Sequence, residues 1–121
     1  MNMTKLNDPS SLAKLSSFLQ AISPEPRLEI LLAIGAGEVC VCHLEAALTY
    51  RQAFISQHLM TLREAGLVTD RREGRYVFYQ LSNPAVLDVL RQLAQMQRVE
   101  LPVSLNPRQC DCPSCNPNAD K

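Results

Sequence analysis

The sequence predicts a mainly α-helical domain that contains one β-hairpin. Apolar residues recur at helical spacing through most of the chain up to Gly66. From Leu67 to Leu81 the spacing changes to a period of two, as in a strand, and helical spacing returns after Pro84. The expected element order is therefore α-α-α-α-β-β-α. The chain has 121 residues, which is enough for one such domain with a tail.

The predicted domain spans residues 10–100. We expect residues 1–9 to be a disordered arm and residues 101–121 to be a flexible tail, because four prolines in the tail prevent helix formation. No run approaches the ~20 apolar residues of a membrane span, and the N-terminal residues have no apolar segment of the secretory type. These features predict a cytoplasmic protein with no membrane partner.

Start and stop signals place the five helices. Ser10 or Ser11 can cap the first helix, and Pro26 suits the first turn of the second. Asn83 can cap the last helix, which Pro84 opens. A short extended segment at residues 38–42 precedes the third helix. The predicted helices are residues 10–22, 27–34, 43–48, 51–66 and 85–100.

The fourth helix, residues 51–66, has two distinct faces. Ile55, Leu59 and Leu62 recur at the spacing of a buried stripe, and His58 at its edge is expected to hydrogen-bond the scaffold. The opposite face is small and polar, which suits a helix that lies in a DNA major groove. The candidate DNA-binding residues of this helix are Arg51, Gln52, Ala53, Ser56, Gln57 and Met60. The ordinary alternative is an amphipathic surface helix with no DNA partner.

The hairpin that follows carries basic residues near its tip. Its strands are predicted at residues 67–72 and 75–81, with the turn at residues 73–74. Arg71, Arg72 and Arg75 can reach DNA phosphates or the minor groove, although any hairpin tip carries solvated residues. Because this hairpin directly follows two short, closely spaced helices, the sequence predicts a winged helix-turn-helix that binds double-stranded DNA.

Charge and unused apolar surface indicate the mode of binding. The net charge is zero, with 12 basic and 12 acidic residues, which argues against a nonspecific coat on nucleic acid. The first and last helices have apolar stripes that the domain core does not need. We therefore expect a homodimer through these two helices and a palindromic operator.

The motifs V-C-V-C-H-L and S-Q-H-L-M-T-L-R-E-A-G-L-V, with the basic hairpin and the long last helix, resemble the ArsR/SmtB family across residues 12–96. The family consists of bacterial winged-helix repressors. The resemblance implies a homodimeric transcriptional repressor that leaves its operator when a metal or metalloid binds. In the arsenic-responsive members the pattern after the second helix is C-x-C-x-x-C, whereas this chain has Glu45 in place of the third cysteine.

The five cysteines form two clusters. Cys40 and Cys42 lie at the start of a helix, where free N–H groups favour thiolate, and an extended backbone would point both side chains the same way. The tail contains its own C-x-C-x-x-C, and the ten residues from Glu100 to Cys110 span at most ~33–36 Å. Thiolates select soft ions such as As(III), Cd(II) or Pb(II). The candidate metal ligands are Cys40, Cys42, Cys110, Cys112 and Cys115.

Three arrangements of these cysteines remain open: a site shared between both clusters, a site in the tail alone, and redox or persulfide sensing without metal. A closed structural zinc site is an alternative of another class. The last helix offers Asp88 but no histidine, so the zinc site that the family carries on that helix is expected to be absent. The sequence shows no catalytic triad, phosphate-binding loop or paired carboxylates. We therefore expect neither an enzyme, nor an organic cofactor, nor a small organic substrate.

Overall fold

The computed structural model describes residues 9–101, which form five helices and three strands. Their order is α-α-β-α-α-β-β-α, so the predicted fold class is confirmed and gains one strand. The elements are α1 (Pro9–Ile22), α2 (Glu25–Ile34), β1 (Glu38–Cys40), α3 (Val41–Leu48), α4 (Gln52–Glu64), β2 (Val68–Glu73), β3 (Tyr76–Leu81) and α5 (Ala85–Met96).

The additional strand, β1, forms the edge of a three-stranded antiparallel sheet with strand order β1-β3-β2. Val39 lies opposite Tyr79, and Cys40 lies opposite Phe78. The extended segment predicted at residues 38–42 is confirmed for residues 38–40, but its pairing was not predicted. Its pairing partner, β3, lies far along the chain, and no local pattern indicates such a pairing. The strand also ends earlier, because Val41 already begins α3.

Several predicted helix boundaries were also wrong by one to four residues. Because α1 begins at Pro9, Ser10 and Ser11 lie inside its first turn rather than at its cap. Helix α4 ends at Glu64 and α5 ends at Met96, both before the predicted positions. One cap prediction is confirmed: Asn83 Oδ1 accepts a hydrogen bond from Ala85 N–H. Gly66, which follows α4, has a positive φ of 79°.

The connection between α3 and α4 contains no glycine, yet it needs a left-handed residue. Thr49 supplies it with φ 58° and ψ 24°. Its Oγ1 donates a hydrogen bond of 2.6 Å to the carbonyl of Leu48, which satisfies a group at the helix end. This residue turns the chain sharply enough to bring α3 and α4 together as a helix-turn-helix.

One large apolar core holds these elements together. Ile30 and Leu31 of α2, Leu44 of α3 and the predicted stripe of α4 are completely buried. Leu81 of β3 and Leu90 of α5 belong to the same cluster. Phe78 and Cys40 form a second, smaller cluster on the opposite face of the sheet. Within residues 9–101, no helix is both long enough and apolar enough to cross a membrane.

Candidate nucleic-acid interface and thiol pair

Helix α4 exposes one continuous face that carries short polar side chains. Ile55, Leu59 and Leu62 on its other face are completely buried, as predicted. Two large apolar groups of α4 are also exposed: Met60, with 61% of its surface accessible, and Phe54, with 37%. The predicted contact residues Gln52, Ala53, Ser56, Gln57 and Met60 are all exposed. A face of this shape can approach base edges closely, and Met60 can contact a thymine methyl group.

Two side-chain contacts fix α4 and the connection that precedes it against α2. Arg27 Nε donates a hydrogen bond of 3.1 Å to His58 Nδ1, and Tyr50 OH donates one of 2.5 Å to Glu29 Oε1. The prediction that His58 bonds the scaffold is thereby confirmed. Burial, and then the positive charge of Arg27, lower the pKa of His58. A neutral His58 is what this contact requires, because Nδ1 must accept the bond.

The N-terminus of α4 also faces solvent. Arg51 occupies the N-cap position, and its side chain makes no capping hydrogen bond. The first N–H groups of a helix carry partial positive charge and bind anions. Together with the exposed Arg51 guanidinium, they form a surface suited to a DNA phosphate.

The three hairpin arginines have different surroundings. Arg71 donates to both carboxylate oxygens of Glu38, at 2.7 and 3.1 Å, and to Glu73 at 2.9 Å. Arg72 is exposed and forms no ion pair within residues 9–101. Arg75 lies in the turn, where its guanidinium packs over the Tyr76 ring, 5.2 Å from the centroid. The structure therefore holds Arg71 against the sheet, while Arg72 and Arg75 lie toward the tip.

Glu38 was not among the sequence-predicted site residues. Hydrogen bonds from Arg71 lower the pKa of the Glu38 carboxyl and raise the pKa of Arg71, so both remain charged. A second ion pair, between Arg63 and Asp70 at 3.4 Å, joins the end of α4 to β2. Glu38 and Arg71 are 33 positions apart in the chain, so only the sheet pairing, which the sequence did not predict, reveals this contact.

Cys40 and Cys42 lie side by side, although not through the predicted extended backbone. Cys40 ends β1 and caps α3, where its Sγ accepts a hydrogen bond of 3.2 Å from His43 N–H. Cys42 lies in the first turn of α3. The two sulfur atoms are joined as a disulfide, with the Cα atoms 5.3 Å apart. Cys40 is only 1% exposed, whereas Cys42 is partly exposed.

The donor chemistry of this pair suits part of a site for a soft ion. In the reduced pair, the N–H bond to Cys40 and the helix N-terminus both favour thiolate. Burial lowers the pKa of the neighbouring His43, which keeps its imidazole neutral. Within residues 9–101, no cluster of three or more possible ligands is present. Cys110, Cys112 and Cys115, the predicted tail ligands, lie outside the described residues.

The outer helices α1 and α5 present apolar side chains to solvent. Leu12, Leu15 and Leu19 of α1 are 45–58% exposed, and Leu93 and Met96 of α5 are 42% and 78% exposed. Between these helices and α2 lies an apolar groove of about 370 Å³. The predicted spare apolar surface is therefore present on both helices.

Comparisons with known proteins agree with this architecture. The family described as bacterial regulatory protein, arsR family, matches residues 24–70, which include both helices of the helix-turn-helix. The arsenical resistance operon repressor of Staphylococcus aureus is 35% identical over 83 residues, which are 69% of this chain and 80% of that protein.

The chain belongs to the ArsR family.

The share of the chain that matches differs between ArsR-family proteins. The arsenical resistance operon repressor of Escherichia coli is 48% identical over 62 residues. The match covers 50% of this chain and 53% of that protein, so the chain spans about half of its length. The homodimeric winged helix-turn-helix domain of Mb0332 from Mycobacterium bovis has a TM-score of 0.64 and 27% identity, covering 74% of this chain and 84% of that domain. The relatives are transcriptional regulators rather than enzymes, as predicted.

Proposed function

We propose that this ArsR-family protein is a DNA-binding transcriptional repressor. The observation that carries the proposal is the exposed polar face of α4 beside a basic hairpin. In this account Gln52, Ser56, Gln57 and Met60 contact base edges in the major groove, and Ala53 allows close approach. The arginines bind the backbone and set the register: Arg51 at the start of α4, and Arg72 and Arg75 on the hairpin. The protein would act in the cytoplasm, where bacterial DNA lies.

The repressor functions as a homodimer on a palindromic operator. The exposed leucines of α1 and α5 supply a dimer surface, and the similarity to a homodimeric domain supports this assembly. A two-fold dimer presents two copies of α4, which would enter successive major-groove turns. The operator half-sites would then be centred about 34–36 Å apart.

A thiophilic ion is the proposed effector: As(III), or Cd(II) or Pb(II). Cys40 and Cys42 would provide two thiolates, and one or more of Cys110, Cys112 and Cys115 would complete the site. The two arsenical resistance repressors described above support As(III) as the first candidate. Because the pair caps α3, its state can change how the helix-turn-helix is held. Release of DNA requires that the ion bind the DNA-incompetent state more tightly.

The Cys40–Cys42 disulfide supports thiol oxidation as a second candidate signal. A peroxide can supply the oxidant: two thiols and one hydrogen peroxide give the disulfide and two waters. The oxidised pair has no thiolates to offer an ion. Oxidation and metal binding would therefore compete for the same two sulfur atoms.

Fluorescence anisotropy of a labelled palindromic operator tests these functions in the full-length chain. Reduced protein without metal is expected to bind the fragment, and As(III) or Cd(II) at about one equivalent per subunit is expected to release it. Tight binding that neither ion changes, but that peroxide abolishes, would favour redox sensing. If a chelator unfolds the protein as purified, the cysteines hold a structural zinc instead. If no palindromic fragment binds, the α4 interpretation is wrong.

A further inference from the structure

The outer face of the sheet connects the thiol pair to the hairpin through two contacts. Cys40 of β1 lies opposite Phe78 of β3 in the sheet register, and Phe78 lies opposite Arg71 of β2. The three side chains therefore lie on one face, across three adjacent strands. Cys40 and Phe78 are both 1% exposed and form one buried cluster, against which Cys42 also packs. The Arg71 guanidinium packs over the Phe78 ring, 4.7 Å from the ring centroid.

Arg71 also ties the hairpin to the strand that carries Cys40. Its planar guanidinium makes paired hydrogen bonds with the carboxylate of Glu38, two residues before Cys40. A third bond reaches Glu73, the last residue of β2. Arg71 thus joins the two outer strands across β3. An arginine engaged in three such bonds and an aromatic contact is not arranged as a free phosphate ligand.

We propose that Arg71 is a positioning residue that transmits the state of the Cys40–Cys42 pair to the hairpin. The inference rests on the proposed function, in which these thiols control DNA binding. Phe78 touches the pair on one side and Arg71 on the other, and a close-packed cluster cannot accept added volume without movement. When Cys40 and Cys42 hold an ion between them, Phe78 must shift. Arg71 then loses its contact with the Phe78 ring. As a result, the hairpin tip, which carries Arg72 and Arg75, moves away from the DNA backbone.

In this mechanism the thiol pair acts on the hairpin through Phe78 and Arg71, rather than on the helix-turn-helix through α3. The mechanism predicts that breaking the Arg71 contacts disconnects metal binding from DNA release, while α3 and α4 remain intact. Two substitutions break the contacts in different ways. Glu38→Gln removes the partner charge, and Arg71→Lys keeps the positive charge of the hairpin but removes the planar paired bonds. Asp88→Asn is the matched control, since it breaks an exposed ion pair with Arg91 on α5, at 2.7 Å.

The experiment uses reduced full-length protein and Cd(II) as the probe ion. Thiolate-to-cadmium charge-transfer absorption reports metal binding, and operator anisotropy reports DNA affinity with and without the ion. Allosteric couplings are typically about 5–150-fold, and we expect wild type and Asp88→Asn to show a weakening within this range. In Glu38→Gln and Arg71→Lys, the weakening is expected to fall below about twofold, with an unchanged absorption titration.

Trypsin gives a second readout that does not involve DNA. Cd(II) is expected to speed cleavage after Arg75 in wild type. In Glu38→Gln, cleavage is expected to be fast with or without the ion, because the hairpin is already released from β1.

The outcomes separate the two proposals. If both variants release DNA as strongly as wild type, the role of Arg71 is overturned while the proposed function stands. If wild type binds Cd(II) but keeps its operator, the proposed function fails and the role of Arg71 fails with it. If Glu38→Gln alters the absorption titration, Arg71→Lys decides by the same criterion, because β3 lies between the strand of Arg71 and that of Cys40.

Discussion

At the scale of single residues, the arginines near α4 divide into anchors and contact groups. Arg71 and Arg63 are held by carboxylates of the sheet. Arg51 caps α4 without using its side chain, so its charge remains available at the helix N-terminus. Sequence position alone does not separate these roles. The separation depends on which carboxylates the fold brings near each guanidinium.

Replacing Arg51 with alanine should remove about one phosphate contact per subunit. We expect weaker operator binding by the dimer and a salt dependence whose slope falls by about two. Anisotropy titrations at several salt concentrations measure both quantities. Arg91→Ala is the control, since Arg91 lies on α5 in an exposed pair with Asp88. An unchanged slope in Arg51→Ala would show that this residue does not contact phosphate.

His58 makes folding sensitive to mild acid. Its pKa in the folded protein is below the ordinary value of 6.5, because of burial and Arg27, so the unfolded chain binds the proton more readily. The free energy of unfolding should therefore fall as the pH drops below about 6.5. Urea unfolding between about pH 7.5 and about pH 5.5 measures this loss.

The matched variant for this measurement is His58→Gln, which keeps an acceptor for Arg27 but does not titrate. It should lose less stability across the same range. His43, whose pKa is also lowered by burial, contributes equally in both proteins. An identical pH dependence in wild type and variant would contradict the role assigned to His58.

At the scale of elements, the sequence predicted the helices and strands that have a local periodic pattern, but not the strand that depends on a long-range contact. The buried stripe of α4 and the alternation of the hairpin are periodic patterns, and both predictions were confirmed. Strand β1 has only three residues, Glu38–Cys40, too few to show a period. It exists because β3 offers an unpaired edge. The ion pair of Arg71 and the burial of Phe78 against Cys40 both follow from that missed strand.

The turn between α3 and α4 should tolerate glycine better than threonine. Thr49 has a positive φ of 58°, which costs a residue with a Cβ roughly 1–2 kcal/mol. Glycine relieves this strain but also gives the unfolded chain more conformational entropy, which offsets part of the gain. The net effect of Thr49→Gly should be a rise in the free energy of unfolding of up to about 1 kcal/mol.

Denaturant unfolding measures this change, and the same substitution inside α4 provides its control. Thr61→Gly should lower stability by roughly 0.3 kcal/mol, because glycine is less favourable than threonine in a helix interior. If both substitutions destabilise the protein, the Oγ1 bond of Thr49 to Leu48 outweighs the relief of strain.

At the scale of the whole molecule, apolar surface on α1 and α5 is left uncovered by the single chain. Leu15 is 55% exposed and Leu93 42% exposed. The sequence predicted this surplus from the two stripes alone. The cysteine-rich tail was also predicted from the sequence, but residues 102–121 lie outside the described structure.

A charge on the α1 stripe should break the dimer. We expect Leu15→Glu to be monomeric in sedimentation experiments and to lose operator affinity, because one copy of α4 reaches only one half-site. Lys14→Glu puts the same side chain next to Leu15 but off the apolar stripe, and it should remain dimeric. A dimeric Leu15→Glu protein would place the interface elsewhere.

The most direct test of the central claim, that the thiols of β1 and α3 control DNA binding, compares wild type with Cys42→Ser. Both are reduced full-length proteins, titrated onto the labelled operator with and without saturating Cd(II). Both should bind without metal, since Cys42 lies away from the α4 face. The ion should weaken wild-type binding by up to about 150-fold and leave the Cys42→Ser complex intact. Equal release of both proteins would contradict the account.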